Sequence, residues 1–225
     1  MYKKILSWLL TFIMVFSMLG GINLEIFGIG PPECKIGDTE YQTLNEALTA
    51  SDDGDTITLL KDINYTGKIT ITGKKITFDL NDYTLLATNT GDTTVEVGSG
   101  GEIDLIGDGE FNVVGTDLAT GGYYDDRGTI TIKNGGKIEV TNATSTGNSG
   151  YPAYGIYVSE GSATVLNNVE TTGTTRIGVF TTGINSSAVV NNNVKSLNSV
   201  GIQLYDNSNI TVLGKKRNKY NDVVK

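Results

Sequence analysis

Short alternations of apolar and polar residues run through most of the chain. Thr56-Ile57-Thr58-Leu59, Lys68-Ile69-Thr70-Ile71, Lys75-Ile76-Thr77-Phe78, Thr94-Val95-Glu96-Val97 and Thr129-Ile130-Thr131-Ile132 are examples. Successive side chains point to opposite faces of a strand, so each tetrad reads as a short strand with one apolar face. Gly, Asn or Asp punctuates almost every gap, as at Gly73, Asn81-Asp82, Gly98 to Gly101, Gly107 to Gly109 and Gly135-Gly136. These residues reach the backbone angles that tight turns demand. One segment departs from alternation. In Thr43-Leu44-Asn45-Glu46-Ala47-Leu48, Thr43 and Glu46 make a capping box and Leu44, Ala47 and Leu48 share one face, which predicts a short amphipathic helix.

The order of the strands becomes legible in the C-terminal half. Gly155-Ile156-Tyr157-Val158, Gly178-Val179-Phe180-Thr181 and Gly201-Ile202-Gln203-Leu204 follow one another at equal steps of 23 residues. Between them, Ser162-Ala163-Thr164-Val165 and Ser187-Ala188-Val189-Val190 lead to Asn167-Asn168 and Asn192-Asn193, each followed by a valine, Val169 or Val194. A unit this small, with no helix, cannot bury its own apolar face and has to stack on its neighbours. The fold class expected is therefore all-β, a right-handed parallel β-helix solenoid with a short N-terminal capping helix. A β-sandwich also uses short alternating strands, but it does not readily produce equally spaced similar tetrads.

Lys3 and Lys4, the apolar run Ile5 to Met18 and the pair Gly20-Gly21 have the order of a secretory signal peptide. Three segments are expected: 1-30 as signal peptide, 31-214 as the β-helix domain with its cap, and 215-225 as a basic tail that either folds over the last coil or marks a truncated end. The expected location is secreted or at the cell surface, with no membrane contact beyond the signal segment. A single cysteine, Cys34, leaves no internal disulfide and reads as incidental. The formal net charge is −8, which argues against nucleic acid as a partner. Histidine is absent, which removes the commonest general base and metal ligand.

Tyr41 to Leu48, followed by Gly54-Asp55-Thr56-Ile57-Thr58-Leu59-Leu60-Lys61-Asp62-Ile63, resembles the opening of bacterial secreted and surface proteins of the pectin-lyase-like parallel β-helix superfamily. The resemblance covers about residues 36 to 214. It implies a helix laid over the first coil, and it is compatible with lyases, hydrolases, adhesins and tailspikes, so it does not assign chemistry. The paired-Asp and Gly-His-Gly signatures of the polygalacturonase type have no counterpart here.

If Ile156 and Val158 point inward, Tyr157 points outward, and the repeat sets Phe180 and Gln203 above it. Thr131 and Glu96 are the weaker backward extension of that column. Such a column could stack a sugar ring, but the favoured reading is ring-on-ring packing that only stiffens the coil. Two stretches break the alternation and are expected as loops: Thr116 to Gly128, with Tyr123, Tyr124, Asp125, Asp126 and Arg127, and Ala143 to Tyr154, with Tyr151 and Tyr154. Tyr with Asp and Arg on a loop fits a carbohydrate ligand.

The leading expectation is a non-catalytic, adhesin-like extracellular or cell-surface scaffold whose partner is a polysaccharide or surface glycan. The ligand-binding candidates are Tyr157, Phe180, Gln203, Tyr123, Tyr124, Tyr151 and Tyr154. The alternative is a polysaccharide lyase or glycoside hydrolase of the pectate lyase type, or a remnant of one, with Asp125, Asp126 and Arg127 as catalytic candidates. No cofactor and no metal are expected, calcium entering only under the lyase alternative. The chain is expected as a monomer or as part of a longer chain. Asp52-Asp53-Gly54-Asp55 reads as a turn rather than a calcium loop, and the Asn pairs 167-168 and 192-193 as turn ladders. Sequons stand at Asn64, Asn142, Asn185 and Asn209.

Overall fold

The structure is a computed structural model that describes residues 30–118, 127–147, 153–173, 176–197, 200–214 and 217–218. The chain divides at Pro31 into two units, and the second, from Pro32 onward, carries the fold. The expected signal segment and most of the basic tail lie outside the described residues.

The second unit is an all-β parallel β-helix. β1 (Cys34–Ile36) and β2 (Thr39–Tyr41) form a hairpin, α1 (Leu44–Ala50) follows, and β3 (Asp55–Leu59), β4 (Ile63–Thr66) and β5 (Ile69–Ile71) make the first coil. Later coils repeat this trio, the last with only two strands among the described residues, so three sheets grow side by side in nine strands, including the hairpin, seven and six. β3 begins the parallel run of the first sheet, β4 opens the second and β5 the third. All pairings between coils are parallel; Ile57 faces Phe78, Ile63 faces Leu85, and Ile69 faces Val95.

Alternation explains the core. Ile57, Leu59, Ile69, Ile71, Val95, Val97, Ile130, Ile132, Ile156 and Val158 are all buried, and the polar residues between them face outward. Each such side chain withdrawn from water contributes about 1.5–3 kcal/mol, which offsets the loss of backbone freedom. Phe78 and Phe111 meet edge to face in the interior at 5.4 Å. On the outer face of the first sheet Lys75 reaches Glu102 at 2.8 Å and Asp104 at 2.5 Å, and Lys137 reaches Glu102 at 3.4 Å. The Lys75 hydrogen bond holds the Glu102 carboxyl below its ordinary value.

The glycine repeat has a steric cause. A Cβ on Gly155 would lie 2.7 Å from the Gly178 carbonyl oxygen, and one on Gly178 would lie 2.5 Å from the Gly201 carbonyl oxygen and 2.7 Å from Val194 Cγ1. These positions admit no side chain, because the coils touch there through backbone.

The N-terminal end is closed differently from the expectation of a helix alone. β1 pairs antiparallel with β3, Cys34 opposite Leu59 and Ile36 opposite Ile57, so a hairpin occupies the open edge of the first sheet. Its turn is Gly37-Asp38, with Gly37 at φ 56. α1 lies beside it. The Thr43 hydroxyl accepts from Glu46 N, and the Glu46 carboxylate accepts from Thr43 N, which is the expected capping box. Glu33 accepts from Leu44 N at 2.8 Å at the same end, and at the other end Lys74 Nζ donates to the Leu48 and Ser51 carbonyls. Cys34 is not incidental: it is fully buried in β1 as a core residue.

Asp52 to Asp55 is a turn. The Asp55 carboxylate accepts from Asp52 N at 2.7 Å, and the Asp53 carboxylate accepts from Lys75 N at 2.7 Å. The asparagines form the expected ladder, and it is longer than the two pairs. Asn192 donates to Asn167 Oδ1 at 2.9 Å and Asn193 to Asn168 Oδ1 at 3.1 Å; Asn168 N donates to Asn142 Oδ1 at 3.1 Å, and Asn142 to Asn112 Oδ1 at 2.8 Å. The coil pattern also passes Gly214, since Arg217–Asn218 pairs with Lys195 and Ser196 in the second sheet.

Candidate functional site

The third sheet carries the candidate site. Its strands Gly128–Lys133, Ala153–Ser159, Arg176–Thr182 and Ile202–Leu204 lie in parallel register, with Thr131 opposite Tyr157, Tyr157 opposite Phe180, and Phe180 opposite Gln203. Below them Glu96 faces both Thr131 and Thr70. The column therefore exists over its whole length, including the backward extension.

Its exposure is uneven. Thr131 and Tyr157 are buried, at 1% and 4% exposure. The Thr131 hydroxyl is held locally, accepting from Gly128 N at 2.9 Å. Tyr157, Tyr154 and Ile177 form a small apolar cluster outside the coil core, with Phe180 and Val200 packed against it. The expectation of Tyr157 as an open stacking surface is thereby corrected: its ring is enclosed by Tyr154 at 5.4 Å, Phe180 at 5.4 Å and the Lys133 ammonium at 5.8 Å. A cation over a ring face is attracted by the ring's quadrupole.

The accessible end of the row is C-terminal. Phe180 and Gln203 are half-buried and Tyr205 is half-exposed. The Phe180 and Tyr205 rings stand 5.6 Å apart, and Gln203 Nε2 donates to the Tyr205 hydroxyl at 2.8 Å. With one lone pair occupied by Gln203, the Tyr205 hydroxyl keeps a proton to donate and a second lone pair to accept with. A surface of this kind meets the apolar face of a sugar with the rings and its hydroxyls with the Gln–Tyr pair. At the foot of the column Lys68 pairs with Glu96 at 2.5 Å.

Tyr205 was not among the sequence candidates, because it follows the last alternating tetrad and reads as a turn residue. Its neighbour Gln203 was the available signal. Tyr154 is also placed differently: it sits in the strand Ala153–Ser159, and Asn142–Thr146 is a strand of the second sheet with Ala143 buried, so 143 to 154 is not one continuous loop. Arg127 lies 3.8 Å from Asp92 in the preceding coil. Tyr123, Tyr124, Asp125, Asp126 and Tyr151 lie outside the described residues. The connections 117–127 and 147–152 link strands of the second sheet to strands of the third, and most of their residues lie outside the described ones.

Among the described residues no group of three or more His, Cys, Asp and Glu side chains is gathered closely enough to hold a metal ion, and no helix is long and apolar enough to cross a membrane. Compared with protein-family models, curated proteins and solved structures, the chain matches none.

Proposed function

We propose that this chain is a non-catalytic scaffold of the pectin-lyase-like type, secreted or displayed at a cell surface, which binds a polysaccharide or surface glycan on its third sheet. The observation that carries the reading is the accessible row Phe180, Gln203 and Tyr205, with ring centroids 5.6 Å apart and the Gln203–Tyr205 hydrogen bond at its end. Successive rungs of a sheet lie about 4.8 Å apart, so a glycan laid along the axis meets Phe180 on one rung and Gln203 with Tyr205 on the next. The signal-like order of Lys3, Lys4 and Ile5 to Met18 supports export, and the acidic balance favours an uncharged or weakly charged glycan over a polyanion.

Glycan-array binding of the purified protein, followed by product analysis on the glycans retained, tests the class. Retention with no product supports a binding scaffold. Release of unsaturated or reducing-end products would make the chain a lyase or hydrolase instead, and silence across the array would leave a spacer.

A further inference from the structure

The connections from the third sheet to the first form a second surface, at a different corner of the coil. Three successive corners differ in length: residues 134–136, then 160–161, then 183–186. The shortest lies between the two longer ones, and the result is a recess of about 470 Å³ lined by Gly135, Gly136, Gly161 and Ser162 with Lys137, Glu160, Ile184 and Asn185. Its floor is backbone. A Cβ on Gly161 would lie 2.6 Å from the Gly136 carbonyl oxygen and 2.6 Å from Ile132 Cγ2.

Glu160 stands out within it. Eight residues other than glycine have positive φ among those described, and seven of them are Asn or Asp, which tolerate the left-handed region; the eighth is Glu160 at φ 54. Its amide donates to Ser186 Oγ at 2.6 Å in the next coil, which holds the turn in that shape. Its side chain extends toward the same coil, with Cγ 3.2 Å from where a Gly183 Cβ would stand. A glutamate at a strained backbone position that glycine or asparagine would occupy at less cost directs attention to what its side chain can contact. Glu160 makes no ion pair among the described residues, whereas Lys137 is already shared with Glu102 at 3.4 Å.

We infer that this recess is a saccharide subsite separate from the aromatic row, taking an uncharged ring that bears neighbouring hydroxyls. The Glu160 carboxylate accepts from two such hydroxyls, the Asn185 amide supplies a donor and an acceptor beside it, and Ile184, 69% exposed, meets the apolar ring face. The chain's net charge of −8 and the open Glu160 carboxylate disfavour a uronate ring. The site rests on the carbohydrate-binding reading but on none of the residues used for it.

The test uses cellotetraose as the neutral probe and tetragalacturonate as the acidic one, each titrated calorimetrically into the purified protein and into Glu160→Asn and Ile184→Ala. Relief of backbone strain makes Glu160→Asn more heat-stable than the wild type while its cellotetraose affinity falls at least tenfold. Ile184→Ala also weakens binding, and Phe180→Ala with Tyr205→Ala leaves a residual cellotetraose isotherm that depends on Glu160. Unchanged affinity in Glu160→Asn, or tighter binding of tetragalacturonate, overturns the subsite. Binding lost in Phe180→Ala/Tyr205→Ala but untouched by Glu160→Asn leaves the aromatic row standing and removes the recess. No binding of either probe, together with silence on the array, removes both.

Discussion

Tyr157 and Phe180, on successive coils of the third sheet, stack with their ring centroids 5.4 Å apart and their planes 10° apart. Tyr154 leans on both, 5.4 Å from Tyr157 and 4.7 Å from Phe180. A double-mutant cycle of Tyr157→Leu and Phe180→Leu, read from urea unfolding, is expected to give a coupling of about 0.5–1.5 kcal/mol beyond the loss of buried area. A coupling near zero would mean that the rings are neighbours without being partners.

The glycine repeat makes a sharper prediction. Gly178→Ala places a methyl group against Val194 Cγ1 and against the Gly201 carbonyl oxygen, whose backbone cannot move without opening the ladder between coils. A stability loss of roughly 1–3 kcal/mol is expected from the forced shift. Gly54→Asn is the control: Gly54 has φ 88 and open space around it, so that change costs about 1 kcal/mol or less.

The asparagine ladder is a stability device with graded members. Asn168 Oδ1 accepts from both the backbone and the side-chain nitrogen of Asn193, at 3.3 and 3.1 Å, and the site is partly buried. Asn168→Ala leaves those donors unpaired and is expected to cost about 1–2 kcal/mol. Asn167→Ala, which removes an exposed acceptor from Asn192, is expected to cost roughly half as much or less when the two are compared by denaturant midpoint.

Burial, with the carboxylates of Glu33 and Glu46 adding to it, pushes the Cys34 thiol up from 9.0 to about 12. The folded value is raised above the unfolded one. Stability tied to this thiol is therefore intact below about pH 9, where both states are protonated, and declines as pH rises toward 12 because only the unfolded chain ionises. A disulfide thiol reagent at about pH 8 should label Cys34 only as the protein unfolds, and Cys34→Ala should flatten the alkaline decline. Rapid labelling of the native protein contradicts the burial of β1.

Much of the fold was legible because one pattern served several levels at once. The tetrads at 155, 178 and 201 share alternation, step and glycine, and the structure places them in one sheet in that register. The capping box at Thr43 and Glu46 could be read from spacing alone. The N-terminal coils hid their period because its length varies: Thr58 and Asp79 meet at a separation of 21 residues, Thr66 and Thr88 at 22, and Asn112 and Asn142 at 30. The β1–β2 hairpin was missed although Gly37-Asp38 between two polar-apolar tetrads was its signal. Exposure was the least readable property. Alternation says that Tyr157 points away from the core, but Tyr154 and Phe180 close over it, and contact between neighbouring rungs is not written in the period of either.

Because Tyr157 is enclosed, the ligand face is best tested through its open neighbours. Retention on the array-selected glycan should be measured for Phe180→Ala/Tyr205→Ala against Thr164→Ala on the first sheet, with folding checked by circular dichroism. The binding account predicts that the aromatic pair variant, still folded, loses retention by more than tenfold while Thr164→Ala keeps it. A folded aromatic variant that is retained like the wild type would contradict it.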